Sequence, residues 1–302
     1  MNPVARVASL VLTAAAAGVV GAQESRPLPV PEALFKAVQD NLVRAERIDY
    51  QYAFMERRTD VHTNPFGRIG TGGLLVSEVY PSPTAALTYR RLIERNGVPL
   101  TAREIAEQDR EYEKRSTQVL QNLSAEEPDA KRRREAEETR AAERGQRRIA
   151  DVIGALQFEV EGRAMRQGVP AIVVSFTPQP GAMPQTRYGR IAQKFAGTVW
   201  IDEAVSEVMR LEATAIDDIS FGYGIVARLD KGAVATVTRR PVEGGIWLPS
   251  QMTLSGRGRA VLFRPLTINF STEWFDYRRT VDTSPKPFPD PRIQREPGRR
   301  PQ

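Results

Sequence analysis

The feature that most constrains the fold of this chain is a two-residue alternation of apolar and polar side chains in its second half. Every second residue from Met209 to Ala215 is apolar and opposes a polar neighbour, and the same pattern runs from Leu266 to Phe270. A strand with this period buries one face and leaves the other in water. Antiparallel sheets tolerate that arrangement, whereas parallel sheets are covered on both faces. The alternation therefore predicts a largely antiparallel sheet with one apolar face.

An amphipathic helix and an early group of strands precede this region. Residues 32–47 carry apolar side chains three or four positions apart, which predicts a helix with one apolar stripe. From residue 48 onward, large apolar groups alternate with other residues, which predicts a strand that places Tyr50, Tyr52 and Phe54 on one face. Further strands are predicted at residues 74–80, 87–94, 171–176, 197–201, 207–216, 234–240, 246–255 and 266–277.

Residues 101–148 differ from the rest because Glu, Arg, Lys, Gln and Ala dominate them. Thr101 and Glu104 have the spacing of a capping box, and Pro128 is predicted to separate two helical pieces. Positive and negative charges nearly cancel in this segment, whereas an arm that binds nucleic acid would show one sign. The segment is therefore predicted to be a solvated helical insertion with many ion pairs, and no nucleic-acid partner is expected.

The first 22 residues have the three parts of an export signal. A positive charge at Arg6 precedes an apolar stretch at residues 7–20, and small residues lead to a predicted cleavage between Ala22 and Gln23. The apolar stretch is shorter than the roughly 20 residues that a membrane-spanning helix needs. The chain has no cysteine, so it lacks the residue that carries the acyl chains of a bacterial lipoprotein. The sequence predicts a soluble periplasmic protein that is not a lipoprotein.

Three segments follow from this organisation. Residues 1–22 are the predicted signal peptide, residues 23–281 the folded domain with its insertion, and residues 282–302 a disordered tail rich in Pro and Arg. The formal net charge of +6 favours peripheral contact with anionic membrane surfaces.

The side chains needed for common enzyme chemistry are scarce. His62 is the single histidine, and without cysteine there is no thiolate nucleophile and no Cys/His zinc site. The paired carboxylates are Asp202 with Glu203 and Asp217 with Asp218, at predicted strand ends. Because adjacent side chains on a strand point in opposite directions, turn formation is the favoured interpretation of both pairs. No catalytic residue, metal site or cofactor is predicted.

One strand pair resembles a known family. Residues 197–203 read G-T-V-W-I-D-E and residues 208–212 read V-M-R-L-E. This pair resembles the W-x-D strand, followed by a run that ends in basic-Leu-Glu, of the LolA-like superfamily of periplasmic lipoprotein carriers and outer-membrane lipoprotein-sorting proteins. The resemblance spans roughly residues 32–278, and the chain departs from the family at the charged insertion and at the tail. The resemblance implies a half-barrel whose concave apolar face holds acyl chains.

The strand pattern and the resemblance together predict an α+β fold: a curved antiparallel half-barrel covered by helices, with a long charged helical insertion at residues 101–148. The predicted function is non-enzymatic binding of a lipid or a lipidated protein in the cell envelope. One alternative is an envelope sensor or scaffold that docks a protein partner through the charged helices. A less favoured one is a glycan hydrolase that uses Asp202 or the Asp217–Asp218 pair. The candidate groove residues are Tyr50, Tyr52, Phe54, Met209, Leu211, Leu248, Met252, Leu266, Ile268 and Phe270.

Overall fold

The computed structural model of the protein describes residues 27–63, 69–221, 227–260 and 264–280. The predicted signal peptide, its cleavage site at Ala22 and Gln23, and the predicted tail lie outside the described residues. The helices are α1 (Pro31–Ile48), α2 (Ala102–Ser124), α3 (Pro128–Gly154) and α4 (Arg187–Ala192). The strands are β1 (Tyr52–Thr63), β2 (Ile69–Tyr80), β3 (Tyr89–Arg95), β4 (Val98–Pro99), β5 (Leu156–Arg166), β6 (Val169–Pro178), β7 (Phe195–Asp202), β8 (Val208–Ala215), β9 (Ile219–Phe221), β10 (Ala227–Leu229), β11 (Val234–Pro241), β12 (Trp247–Ala260) and β13 (Arg264–Arg279).

The described strands form one antiparallel sheet. Their order is β4-β3-β2-β1-β13-β12-β11-β8-β7-β6-β5, and β9 and β10 are attached beside β12. Strands β4 and β5 lie at the two ends of this order, and no pairing between them occurs in the described part of the chain. In the described part of the chain the sheet is therefore open, and together with the four described helices it confirms the predicted half-barrel class.

Local sequence signals explain where the helices begin. Pro31 and Pro128 occupy the first helical positions of α1 and α3, where the missing N–H costs nothing. The capping box of α2 is formed: the Thr101 hydroxyl accepts from Glu104 N at 3.3 Å, and the Glu104 carboxylate accepts from Thr101 N at 2.8 Å. The predicted insertion is helical as expected, but α3 continues to Gly154 because no breaker follows residue 148.

The helix α2 packs on strand β3. The buried Tyr112 ring stacks on Tyr89 with centroids 4.1 Å apart, and its hydroxyl donates to Leu87 O at 2.8 Å. The side-chain amide of Gln108 bonds to both Leu92 N and Leu92 O, at 3.0 and 3.1 Å. These bonds satisfy backbone groups of a strand next to the end of the sheet. Helix α2 is thus attached to the sheet.

The start of the first strand differs from the prediction. Helix α1 continues to Ile48, and residues Asp49–Gln51 form a 3-10 turn, so the strand begins at Tyr52. The N–H of Asp49 still donates to Ala45 O, which extends the helical hydrogen bonding past the predicted end. Tyr50 consequently lies in the turn and not on the strand.

The main hydrophobic core lies between α1 and the strands β5–β8. Leu34 and Val38 of α1 pack among buried strand residues, and the Phe35 ring lies 5.0 Å from the Phe158 ring. The apolar stripe of the helix thereby covers one part of the apolar sheet face. The buried strand residues of this core are Ile172, Val174, Phe176, Val199, Ile201 and Ala213.

Candidate functional site

The apolar face of the sheet consists of rows that cross neighbouring strands. Directly opposed residues of an antiparallel pair lie on the same face, so the register defines each row. One row contains Val160, Val174, Val199, Leu211, Val237, Met252 and Thr272. The next contains Phe158, Phe176, Gly197, Ala213, Ala235, Leu254 and Phe270.

These rows continue beyond the part of the sheet that α1 covers. On β6 and β7, Val174 and Val199 are buried in the main core. On β11–β13, Val237, Met252 and Phe270 are only half-buried and belong to none of the buried clusters of the described residues. Phe54 and Trp274 are also half-buried and extend the same face onto β1 and β13. We call the residues Phe54, Val237, Met252, Phe270 and Trp274 the open face.

Ion pairs lie on the same side of the sheet as the open face. Glu56, directly opposite Trp274, is 6% exposed and is paired with Arg90 and with Arg58, the latter at 3.3 Å. Its position two residues after Phe54 places this carboxylate on the face itself.

A second buried pair lies beneath the C-terminal half of α1. Glu207 is 1% exposed and accepts from Arg239 at 3.0 Å and from Arg44 at 3.4 Å. Burial raises the pKa of Glu207 above its ordinary value, and the two arginines oppose this shift. Burial likewise lowers the pKa of Arg239. Both charges are therefore paired at a cost in desolvation.

Several predicted groove residues belong to the packed interior. Tyr52 is 2% exposed, and its hydroxyl donates to Glu243 O at 2.8 Å. Leu248 is also 2% exposed. Leu211 packs against the main core, and Ile268 packs against the smaller cluster of Ala215, Ile219, Leu229 and Ala233.

Met209 lies on the other face of the sheet from Leu211, contrary to the prediction. The register shifts where Trp200 opposes Arg210 but Ile201 opposes Val208, which leaves Met209 without a direct partner. This β-bulge turns Met209 toward Ala171, Trp247 and Trp200, while Val208 joins the main core. The alternation in the sequence gives no signal of it.

Of the remaining groove candidates, three belong to the open face and two, Tyr50 and Leu266, do not. Phe54, Met252 and Phe270 lie on the open face, and Tyr50 lies in the turn before β1. Leu266 opposes Gly258 in the backbone register, and its side chain lies outside the described residues. Val237 and Trp274 of the open face are not among the predicted groove residues, although the apolar alternation in 234–240 and 266–277 places them on the apolar face.

The paired carboxylates serve turns and ion pairs. The Asp202 carboxylate accepts from Ala204 N at 2.8 Å and from Val205 N at 3.2 Å, which closes the turn after the W-I-D strand. Glu203 binds Arg163 at 2.8 Å. Asp217 pairs with Lys194, and Asp218 pairs with Arg228 and accepts from Lys231 N at 2.8 Å. These contacts favour the turn-forming interpretation.

A cavity of about 970 Å³ shares no lining residue with the open face and lies between Glu46 of α1, the second half of α3, and residues 182–188, which form the loop before α4 and its first turn. Sequence reasoning did not find it, because its walls come from three separated segments. Its cationic lining residues are Arg144, Arg147, Arg148 and Arg187, and its carboxylates are Glu46 and Asp151.

Three solved structures are similar to the chain over most of its length. A DUF1329 family protein from Desulfovibrio piger is 14% identical over 86% of this chain and 98% of its own, with a TM-score of 0.27. A LolA superfamily protein from Nitrosomonas europaea is 8% identical over 83% and 94%, with a TM-score of 0.30. An outer membrane lipoprotein-sorting protein domain from Vibrio parahaemolyticus is 12% identical over 81% and 94%, with a TM-score of 0.28.

The chain resembles LolA-superfamily structures. Two of these structures, a LolA superfamily protein and a lipoprotein-sorting domain, come from the superfamily that the strand pair resembles. No family model and no curated protein matches the chain. At these identities and TM-scores, the likeness transfers no residue role, ligand or partner to this chain.

Within residues 27–63, 69–221, 227–260 and 264–280, no group of three His, Asp or Glu side chains has the geometry of a metal site. Over the same ranges, every helix is too short or too polar to span a bilayer. The side chain of His62 lies outside the described residues.

Proposed function

We propose that this protein binds a lipid, or the acyl chains of a lipidated protein, on the open face, and that it does so in the cell envelope after export through residues 1–22. The observation that carries the proposal is the continuation of the apolar rows past α1 onto half-buried Val237, Met252 and Phe270. Covering such a face with an acyl chain stabilises the complex by about 0.8 kcal/mol per buried methylene. Binding of this kind needs no reacting group.

The paired charges favour this proposal over docking through the charged helices. Along α3, Arg132 pairs with Asp129, Arg134 pairs with Glu138 at 2.9 Å, and further pairs follow along the helix. These arginines have carboxylate partners within their own helix, and positive and negative charges cancel over residues 101–148 as a whole.

Titration of the protein with a fluorescent fatty-acyl probe tests the proposal. Met252→Asp places a charge in the middle of the open face and is expected to weaken probe binding at least tenfold, because an acyl chain cannot solvate the carboxylate. Ser255→Asp is the matched control: it lies on the same strand, is exposed and belongs to the opposite face. Native mass spectrometry of the purified protein is expected to show a bound lipid.

Two results would contradict acyl binding on this face. One is the absence of saturable probe binding together with a lipid-free native mass spectrum. The other is equal affinity of Met252→Asp and Ser255→Asp, which would place the bound probe elsewhere.

A further inference from the structure

The cavity between α3 and α4 is lined by small residues of the α3 region and by a loop that hydrogen bonds hold in place. Residues Ala141, Gly145, Gly154 and Ala155 of the α3 region line it, and a Cβ added at Gly154 would meet no atom within 4 Å. Helix α3 therefore presents a shallow surface where larger side chains would occupy the space. The volume lies within the range of roughly 300–1,000 Å³ that is typical of small-molecule sites.

Asp151 fixes the opposite wall of the cavity. Its carboxylate accepts from Gln185 N at 2.9 Å, from Thr186 N at 2.8 Å and from the Thr186 hydroxyl at 2.5 Å. The Thr186 hydroxyl also accepts from Gly189 N at 3.0 Å, which caps α4. The loop that carries Met183 and the first turn of α4 that carries Tyr188 are thus held to α3 by several hydrogen bonds, so this wall needs little ordering when a ligand binds.

Positive charge is in excess around the cavity. Four guanidinium groups line it against two carboxylates, and both carboxylates are engaged: Asp151 by the loop, and Glu46 by Arg148. Among the described residues, Arg144 pairs with the exposed Glu137 and Arg147 with the exposed Glu143, and exposed pairs of this kind contribute little free energy. An anion therefore displaces these partners at low cost.

Arg187 is the cation most available to a ligand. No described carboxylate lies within ion-pair distance of it, and its guanidinium lies 5.5 Å from the centroid of the Tyr188 ring. Arg148 lies 5.2 Å from the same centroid. Both guanidinium groups therefore lie within 6 Å of the Tyr188 ring centroid, and an anion bound in the cavity neutralises positive charge at this ring.

We propose that this cavity binds the phosphate group of a small phosphorylated molecule. Guanidinium forks match phosphate oxygens in geometry and charge, which a single ammonium does not. Met183 is 85% exposed beside the arginines and provides an apolar surface for the organic part of the ligand. The cavity shares no lining residue with the open face, so phosphate binding is independent of acyl binding.

Isothermal titration calorimetry at low ionic strength tests the proposal with three probes: inorganic phosphate, glycerol 3-phosphate, and vesicles of phosphatidylglycerol compared with phosphatidylcholine. Saturable binding is expected, with amide shifts in the NMR spectrum at residues 183–188. Binding of glycerol 3-phosphate without vesicle binding identifies a soluble ligand, and selective binding of phosphatidylglycerol vesicles that Arg187→Gln weakens identifies a lipid head group.

Two cavity variants and one control locate the site. Arg187→Gln is expected to weaken phosphate binding by about tenfold to a hundredfold, the effect of one charge-assisted hydrogen bond. Gly154→Leu keeps every arginine and is expected to weaken binding by filling the space. Arg132→Gln, on the same helix but outside the cavity, is expected to bind as the parent does.

The proposal is overturned if none of the probes binds saturably to the parent protein. It is also overturned if the amide shifts of the parent fall outside residues 141–155 and 182–188, or if Arg187→Gln binds as tightly as Arg132→Gln. The shift map uses the unmodified chain, so it remains decisive even if a cavity variant fails to fold.

Discussion

At the scale of single residues, the buried ion pair of Glu207 and Arg239 costs desolvation free energy and also constrains the backbone that it contacts. Burial is the largest cause of the pKa shift of each partner, and it opposes the charged form in both. The pair is therefore expected to add little net stability, while the loss of one partner leaves an uncompensated buried charge. Arg239 also donates to Trp247 O at 2.5 Å, so its side chain joins β11 to the start of β12.

Variants that lack one partner or both partners distinguish the net stability of the ion pair from the cost of an unpaired buried charge. Arg239→Met alone is expected to lower the free energy of unfolding by about 3–5 kcal/mol, because Glu207 then retains only the half-exposed Arg44. The double variant Glu207→Leu with Arg239→Met is expected to recover most of that loss. Urea denaturation measures both values. A double variant that is less stable than the single one would mean that the ion pair itself stabilises the fold.

At the scale of elements, Asp151 joins α3 to the loop before α4 through one carboxylate. The Thr186 hydrogen bond is the main cause that lowers the pKa of Asp151 below 3.8. A carboxyl group whose pKa is lower in the folded state stabilises the fold above its unfolded pKa. That contribution is lost as the pH falls below 3.8 and through the lowered folded value.

Asp151→Ala is expected to release the loop without unfolding the sheet. The amide protons of Gln185 and Thr186 lose their acceptor, so they are expected to exchange with solvent at least tenfold faster than in the parent. Hydrogen exchange followed by NMR measures this, and the amides of Ile172 and Val174 in the core serve as controls. Unchanged exchange at Gln185 and Thr186 would show that other contacts hold the loop.

Local sequence signals predicted the helices and the class of sheet. They did not predict the contacts between elements that are distant in the sequence. The spacing of Thr101 and Glu104 predicted the cap of α2, and the alternation predicted a sheet with one apolar face. The bulge at Met209 depends on how β8 meets Trp200 and Ile201 of β7, which the sequence of β8 does not encode. The arginine cavity depends on α3 meeting the loop at residues 182–186, and no local pattern marks that contact.

At the scale of the whole molecule, α2 and α3 connect the two ends of the open sheet. Strand β4 precedes α2 and β5 follows α3, and these strands are the first and last in the strand order. Ten strand steps at about 4.8 Å separate them by about 48 Å along the sheet. Helices of 23 and 27 residues are about 35 and 40 Å long. The charged segment is therefore the connection that an open sheet of this order requires.

The reach of that connection is expected to be necessary for folding. A Gly/Ser linker of 12 residues in place of 102–154 has an average reach of about 19 Å, and this variant is expected to lose cooperative urea unfolding. A Gly/Ser linker of about 60 residues averages about 43 Å and is expected to restore cooperative unfolding.

The longer-linker variant distinguishes the length that the connection needs from the stability that the packing of α2 on the sheet contributes. Its stability is expected to fall several kcal/mol below that of the parent, because the buried Tyr112 and its contacts with Tyr89 and Leu87 are absent. Tyr112→Ala in the full chain provides the comparison for this packing term. Parental stability with both linkers would instead show that the charged helices are dispensable for the fold, as a separate docking module would be.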